Sequence, residues 1–486
     1  MGRGRPVTLP RQKTKIVCTL GPASSDETTI RQMIKAGMSV ARLNFSHGTM
    51  EEHAEQIELV RRAADAEDRV IGILIDLPGT KIRLGLLPVE PLELERGAEV
   101  VLTTDQRPKD PSMIPVDYDP LPSLVRPGSL LYINDGLVRL RVLSTGGTEI
   151  RAEVVVGGAI ASRKGLNVVD SVLPVDAVTP RDLELIEAGL ALGIHTFTIS
   201  FIERAEDIRR AKAHAASLGH EITVIAKIER KAAVDHIDEL LAAADGVMIA
   251  RGDLGVQIPI EQVPVIQKRI IHAANEVGLP VITATQMLES MTASLLPTRA
   301  EVTDVANAIL DGTDAVMLSA ETASGSYPVE SVAMMSRIAL EIEGERRTLG
   351  CGHMLEDRIR ESYGRESIAV EDVVSLNVID AVRALGPRFI LTPTRTGRTP
   401  RRISRFRPER WILAFTRDPA VQRFLTFTYG CCPFLMETER KDWHDLIFEA
   451  VRSLGLASSG DLVILTEGVA PGPVGTTNSL RIVTIE

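Results

Sequence analysis

Eight short apolar runs, most of them separated by amphipathic helical segments, constrain this chain more than any other feature. They are KIVCTL (15–20), SVARLNF (39–45), VIGILID (70–76), IHTFTIS (194–200), ITVIAKI (222–228), GVMIA (246–250), PVITAT (280–285) and DAVMLSA (314–320). Polar residues, Gly or Pro bound each run. Between them, segments such as EEHAEQIELVRRAADA and EQVPVIQKRIIHAANEVG carry the apolar period of a helix. A strand that is apolar almost throughout is buried on both faces, as in a parallel sheet covered by helices. Eight such strands predict a (β/α)8 barrel. Aromatics are only 3% of the residues, so the core must be aliphatic.

The alternation is interrupted twice. From residue 82 to 176 it gives way to short alternating strands with Gly turns, among them AEVVLTT, SLLYINDGLVRLRVL and EIRAEVVVGGAI. This predicts a small all-β domain, a β-barrel, inserted after the third barrel strand. The catalytic barrel is then residues 1–81 and 177–345. From 346 to 486 a helix (SIAVEDVVSLNVIDAVRALG) and the strands RFILTPT, RWILAFT, CCPFLM and DLVILTE predict a separate α/β domain.

A net charge of −10 argues against nucleic acid or a membrane surface as partner, since both favour a basic face. No apolar run approaches the ~20 residues that cross a bilayer. The basic start, MGRGRPVTLPRQKTK, has no apolar stretch behind it and reads as a frayed arm, not a signal peptide. Cys18, Cys351, Cys431 and Cys432 form neither a disulfide pattern nor a metal knuckle, which predicts a reducing cytoplasm.

Barrels carry their chemistry at the C-terminal ends of strands. In chain order those ends hold Arg42, Asn44 and Ser46; Asp76; Ser200; Lys227 and Glu229; Arg251 and Asp253; Thr285 and Gln286; Ser319 and Glu321. Lys227 and Glu229 could be a structural ion pair, and Asp253 a helix cap. Strand alternation, however, puts Lys227 and Glu229 on one side, with Asp253 one strand away. Two carboxylates with room for water suit Mg2+, and the lysine would face a phosphate.

These strand ends lie in longer stretches that resemble the pyruvate kinase family: KTKIVCTLGPAS (13–24), ARLNFSHG (41–48), SRKGLN (162–167), AKIE (226–229), ARGDLGVQIP (250–259), VITATQMLESM (281–291), PTRAEVTDVANAILDGTDAVMLSAETASGSYP (297–328) and GTTNSLRI (475–482). The resemblance spans nearly the whole chain. It implies phosphoryl transfer from phosphoenolpyruvate to ADP, giving pyruvate and ATP, in a homotetramer with a lid domain and an effector-binding C-terminal domain. It implies that Glu229 and Asp253 bind Mg2+ (or Mn2+), with a second ion arriving with the nucleotide. Gly252, Asp253 and Thr285 would hold the substrate carboxylate, while Arg42 and Lys227 contact the phosphoryl group. Thr285 and Ser319 would serve protonation of the enolate, through water. Asn44, Phe45, Ser46, His47, Arg83 and Lys164 match nucleotide-contacting positions.

Two departures bear on regulation and cofactors. Most members hold K+ near the positions of Asn44, Ser46, Asp76 and Leu77. They carry Thr-Lys where this chain has Leu77-Pro78, a glutamate at Lys81 and a threonine at Leu84. Lys81 is therefore expected to replace K+ with a tethered ammonium. In the C-terminal domain, Thr394, Arg395, Thr396, Gly397, Arg398 and Thr399 form a hydroxyl- and Arg-rich turn. Thr399-Pro400 suits a helix N-cap and first position, and the turn a phosphate. The resemblance makes it an effector site, joined by PGPVGTTN (471–478), for a phosphorylated sugar or a nucleotide. Two other readings stay open: a Mg2+-dependent enolpyruvate lyase or aldolase, which needs neither Arg83 nor Lys164, and a catalytically dead metabolite sensor.

Overall fold

The computed structural model describes residues 8–486 apart from 109, 135, 169–175, 347, 349–353, 364–367, 437–442 and 469–476. Residues 1–7 of the basic arm, Cys351 and residues 471–476 of the second effector stretch lie outside the described residues.

Eight strands close a parallel barrel: β1 (Lys15–Thr19), β2 (Val40–Asn44), β3 (Gly72–Leu77), β4 (Thr196–Ile199), β5 (Thr223–Ile228), β6 (Gly246–Ala250), β7 (Val281–Ala284) and β8 (Ala315–Leu318). They run in order around the ring, and β1 pairs with β8 to close it. The register sets Asn44 beside Asp76 and Asp76 beside Thr198, so polar strand ends meet at one mouth. Helix starts follow local chemistry. Thr49 and Glu52 form a capping box ahead of Met50–Ala66, as Thr298 and Glu301 do ahead of Arg299–Asp311.

The barrel interior is filled by Val17, Val40, Leu74, Ile225, Met248, Ile282 and Met317, with Phe424 and Phe427 of the C-terminal region in the same cluster. The aliphatic core forecast from composition thus gains an aromatic plug from another part of the chain. Full burial of each such side chain contributes roughly 1.5–3 kcal/mol. Gly72 makes room for the plug: a Cβ there would fall on Thr426 Oγ1.

Apart from the one-turn helix Leu121–Leu124, the regular structure of the insert is β among the described residues. Its six-stranded sheet orders Leu166–Val168, Leu130–Ile133, Val138–Gly146, Glu149–Val156, Glu99–Thr103 and Ile114–Pro115. Residues 82–85 join the two edges. Leu166 N donates to Ile82 O and Leu84 N to Lys164 O, both at 2.9 Å, and on the other side Gly85 N donates to Pro115 O at 2.7 Å. The chain leaving β3 is thus itself part of the insert.

The C-terminal sheet comprises β9 (Phe389–Pro393), β10 (Ile412–Thr416), β11 (Cys431–Leu435), β12 (Leu462–Glu467) and β13 (Ser479–Thr484), in the order β11-β10-β9-β12-β13. The first four are the strands read from the sequence. The antiparallel β13 was not foreseen: half its side chains stay exposed and no apolar run marks it. The domain docks on the N-terminal end of the barrel. Lys15 Nζ donates to Cys431 O at 2.7 Å, Gly430 N to Lys13 O at 3.0 Å, and Arg407 pairs with Asp314 at 2.7 Å. Among the described residues no helix is long and apolar enough to cross a membrane.

Candidate active site

Asp76, at the end of β3, is the anchor of the mouth. It is 2% exposed and meets Arg42 of β2 through both Nε and Nη2, Thr198 Oγ1 at 2.6 Å and Ser200 Oγ at 3.4 Å. Lys227 Nζ, from β5, lies 3.5 Å away. Burial alone would push the carboxyl up, but Lys227, Arg42 and the Thr198 hydrogen bond outweigh it and bring it down to about 2. Arg42 is held in turn by Thr19 Oγ1 at 2.8 Å.

Lys227 and Glu229 meet as strand alternation requires, Nζ to Oε1 at 2.8 Å, and Ser200 Oγ accepts from the same ammonium at 3.1 Å. Burial opposes the ammonium, yet Asp76 and then Glu229 raise its pKa, so Lys227 stays charged. Glu229 is 1% exposed. Its Oε2 accepts from Phe201 N at 2.8 Å, while Oε1 has the nearby ammonium but no well-angled hydrogen bond. Burial, with the Asp253 charge, raises the Glu229 pKa despite Lys227. At Asp253 burial is outweighed by Lys81 and Lys227, which hold that carboxyl below its ordinary value.

This pair fits a divalent cation. Glu229 and Asp253 are neighbouring carboxylates whose charges act on one another, and among the described residues no cluster of three His, Cys, Asp or Glu side chains could hold a metal unaided. A site with two protein carboxylates leaves other positions to water and substrate oxygens, as Mg2+ prefers. Asp253 is not the cap of its helix. The helix Arg251–Gln257 has Ala250 as N-cap and carries Asp253 in its first turn.

Thr285 follows β7. Its Oγ1 accepts from Gly252 N at 2.8 Å and donates to Ala284 O at 2.7 Å. Ser319 follows β8, and its N–H donates to Glu321 Oε2 at 2.7 Å. Glu321 Oε1 accepts from Leu288 N, so this buried carboxylate ties the loops after β7 and β8 together.

At the end of β2, Asn44 Oδ1 accepts from Ser46 N at 3.1 Å, and Phe45 stacks on His53 with centroids 4.1 Å apart. Ser46 and His47 remain exposed. Arg83 and Lys164 lie side by side on the insert, Lys164 exposed and Arg83 Nη1 on Arg163 O at 3.2 Å. Gly165 brings this edge to the barrel, since a Cβ there would be 2.9 Å from Lys81 Cε.

Lys81 corrects an expectation. Its Nζ donates to Asp253 Oδ1 at 3.1 Å, not to the Asn44, Ser46 and Asp76 group. Asp76 already faces Arg42 and Lys227, so the third cation turns to the neighbouring carboxylate. Ser200, Thr198 and Thr19 hold the charged side chains, yet none carried an assigned role in the sequence. The only available signal was their place at strand ends.

The effector turn also needs a correction. Its helix, Arg398–Ser404, starts two residues earlier than Thr399-Pro400 suggests, with Gly397 as N-cap at φ 72°. Pro400 falls inside the first turn, where its missing N–H leaves no intrahelical bond unmade. Thr394 Oγ1 accepts from Gly397 N at 2.9 Å, and Arg395, Thr396 and Arg398 are exposed. Arg398 Nη2 lies 3.3 Å from Glu371 Oε1. Thr399 and Thr477 hydroxyls lie 2.5 Å apart, which joins the turn to the second effector stretch.

The family model of the pyruvate kinase barrel domain matches residues 11–332, and that of the pyruvate kinase alpha/beta domain matches residues 372–483. A pyruvate kinase of Thermococcus litoralis is 49% identical over 98% of this chain and 99% of its own length. One from Thermotoga maritima is 39% identical over 98% and 100%. A crystal structure of a pyruvate kinase from Cryptosporidium parvum superposes with a TM-score of 0.89 at 34% identity, covering 98% of this chain and 97% of that one. Among the three activities left open by the sequence, these matches select the kinase. The chain belongs to the pyruvate kinase family.

Proposed function

We propose that phosphoryl transfer from phosphoenolpyruvate to ADP is carried out by the cluster of Arg42, Lys227, Glu229, Asp253 and Thr285. The observation that carries this reading is the meeting of Lys227 and Glu229 in one buried group with Asp76 and Arg42. Transfer of this kind asks the protein for position and charge more than for covalent chemistry. Lys227 and Arg42 meet the phosphoryl oxygens, Lys227 as the group that stabilises the transition state. Glu229 and Asp253 hold Mg2+, which when bound neutralises substrate oxygens, and a second ion comes with ADP. Gly252, Asp253 and Thr285 orient the carboxylate, and Thr285 and Ser319 pass a proton through water to the enolate carbon. Asn44, Phe45, Ser46, His47, Arg83 and Lys164 receive the nucleotide. The lid, residues 82–176, closes over the mouth and keeps water from the phosphoryl group. The test is a coupled assay of ADP-dependent pyruvate formation. Wild type turns over, and a Lys227→Met variant that matched it would remove the cluster from the mechanism.

K+ is not required in this reading. Leu77 is 1% exposed in the barrel core and offers no side-chain oxygen ligand, and Arg42, Lys81 and Lys227 supply charge around Asp76 and Asp253. Full activity in K+-free buffer with a large organic counter-cation is expected, and an enzyme silent until K+ is added would refute it. The turn at 394–399 binds a phosphorylated sugar or nucleotide effector, supported by its exposed arginines and its contact with Thr477. The enzyme works as a homotetramer in the cytoplasm.

A further inference from the structure

The loop after β7 holds two consecutive residues, Thr285 and Gln286, at φ 67° and 53°. Neither is glycine, and Thr285 is β-branched. L-residues take this left-handed conformation in succession only where the surroundings impose it. One side chain gathers the carbonyls of this turn. Arg251, the residue after β6, is 8% exposed, and its guanidinium is shared between this loop and two neighbouring helices. Nε donates to Ala284 O at 3.3 Å, and Nη2 to Thr285 O at 2.7 Å and Gln286 O at 3.3 Å. Nη2 also lies 2.8 Å from Met287 Sδ. On its far side Nη1 donates to Asp304 Oδ1 at 2.7 Å and Gln267 Oε1 at 3.3 Å, and Nη2 lies 2.7 Å from Asp304 Oδ2, which anchors the fork to neighbouring helices. Three successive carbonyls converge on one cation because the chain turns left-handed at 285 and 286.

We infer that Arg251 is a positioning residue for the reaction: by holding the 285–286 turn it sets the Thr285 hydroxyl against Gly252 N–H in the substrate site. The inference rests on the reading of Thr285 as a substrate-site residue. The hydroxyl lies 2.8 Å from Gly252 N, on a residue held at φ 67°. A lysine keeps the charge but has a single nitrogen and cannot address several carbonyls and two side chains through a planar fork. Arg251 touches no reacting atom. It acts through Thr285.

The experiment is a double-mutant cycle on the full-length enzyme with Mg2+, phosphoenolpyruvate and ADP, reading kcat and KM separately. Arg251→Lys is expected to lower kcat/KM for phosphoenolpyruvate by about 100-fold, the scale of an ångström misplacement at a reacting group. Thr285→Ala is expected to be impaired as well. The combined variant should fall within about threefold of Thr285→Ala alone, because the second change removes nothing that is still in use. A combined loss equal to the product of the two single losses, with Thr285→Ala impaired, overturns the inference and leaves the reading of Thr285 standing. A Thr285→Ala enzyme equal to wild type overturns both. Thermal melts monitor folding throughout. Should Arg251→Lys not yield folded enzyme, Asp304→Asn loosens the same fork from outside. Its loss should vanish in the Thr285→Ala background, and persistence there would count against the inference.

Discussion

Lys227 sits among three carboxylates and an arginine, Asp76, Glu229, Asp253 and Arg42. Its partners, Asp76, Glu229 and Ser200, lie at 2.8–3.5 Å. Lys227→Met is expected to reduce turnover by about 10³-fold or more, since charge that develops in the transition state loses its counter-ion. Phosphoenolpyruvate should still bind, and equilibrium dialysis with Mg2+ separates the two effects. Asp76 makes a second, acid-limb prediction. Its folded-state pKa, about 2, lies below the unfolded value of about 3.9. The stabilisation is therefore present in full from about pH 5 upward and is lost as pH falls toward 2, on the order of 2–3 kcal/mol. Urea midpoints measured from pH 5 to pH 2.5 should fall less steeply in Asp76→Asn than in wild type. Equal slopes would show that other carboxylates carry the acid limb. That these residues gather at one mouth was legible in the sequence, because each follows an apolar run that a barrel buries. Their pairing was not: whether Lys81 reaches Asp76 or Asp253 depends on how the chain leaves β3, which periodicity does not encode.

At the scale of elements, the barrel strands and the four parallel strands of the C-terminal sheet were legible because buried strands are apolar runs. β13 escaped because one antiparallel edge strand with exposed side chains has no such run. The start of Arg398–Ser404 was misjudged because Thr-Pro is the stronger signal on paper, whereas Gly397 alone takes φ 72° without cost. The exposed turn it leaves is what an effector phosphate would meet. Replacing Thr394 and Arg395 together by Ala is expected to abolish activation by phosphorylated effectors and leave saturated turnover near wild type. A coupling of ~1–3 kcal/mol is the range to look for in the wild-type activation curve. Gly72 tests the plug. Its Cβ position coincides with Thr426 Oγ1, so Gly72→Ala must displace the Phe424–Phe427 segment. Overpacking of this kind costs about 1–3 kcal/mol, readable as a lower thermal midpoint. Adding Thr426→Gly to the same chain should recover part of it.

The whole molecule is held together by interfaces that no local pattern announces. Arg407 and Asp314 are both nearly buried between barrel and C-terminal domain. Asp314 Oδ1 also accepts from Tyr429 N at 3.0 Å. Arg407→Met leaves that carboxylate buried without its cation and is expected to destabilise the protein by about 3–5 kcal/mol. Calorimetry should then resolve the C-terminal domain melting ahead of the barrel; a single unshifted transition would argue against the pair as a clasp. The placement of the lid has a consequence for synthesis. β3 and β4 are neighbours in the ring, yet Asp76 and its register partner Thr198 are separated by the entire insert, and β1 waits for β8, paired from Lys15 to Ala315. The insert has an apolar core of its own, around Leu131, Leu140, Ala152 and Val154. A nascent chain emerging from the ribosome therefore carries the whole insert, with every residue of its own apolar core, while the barrel is still three open strands.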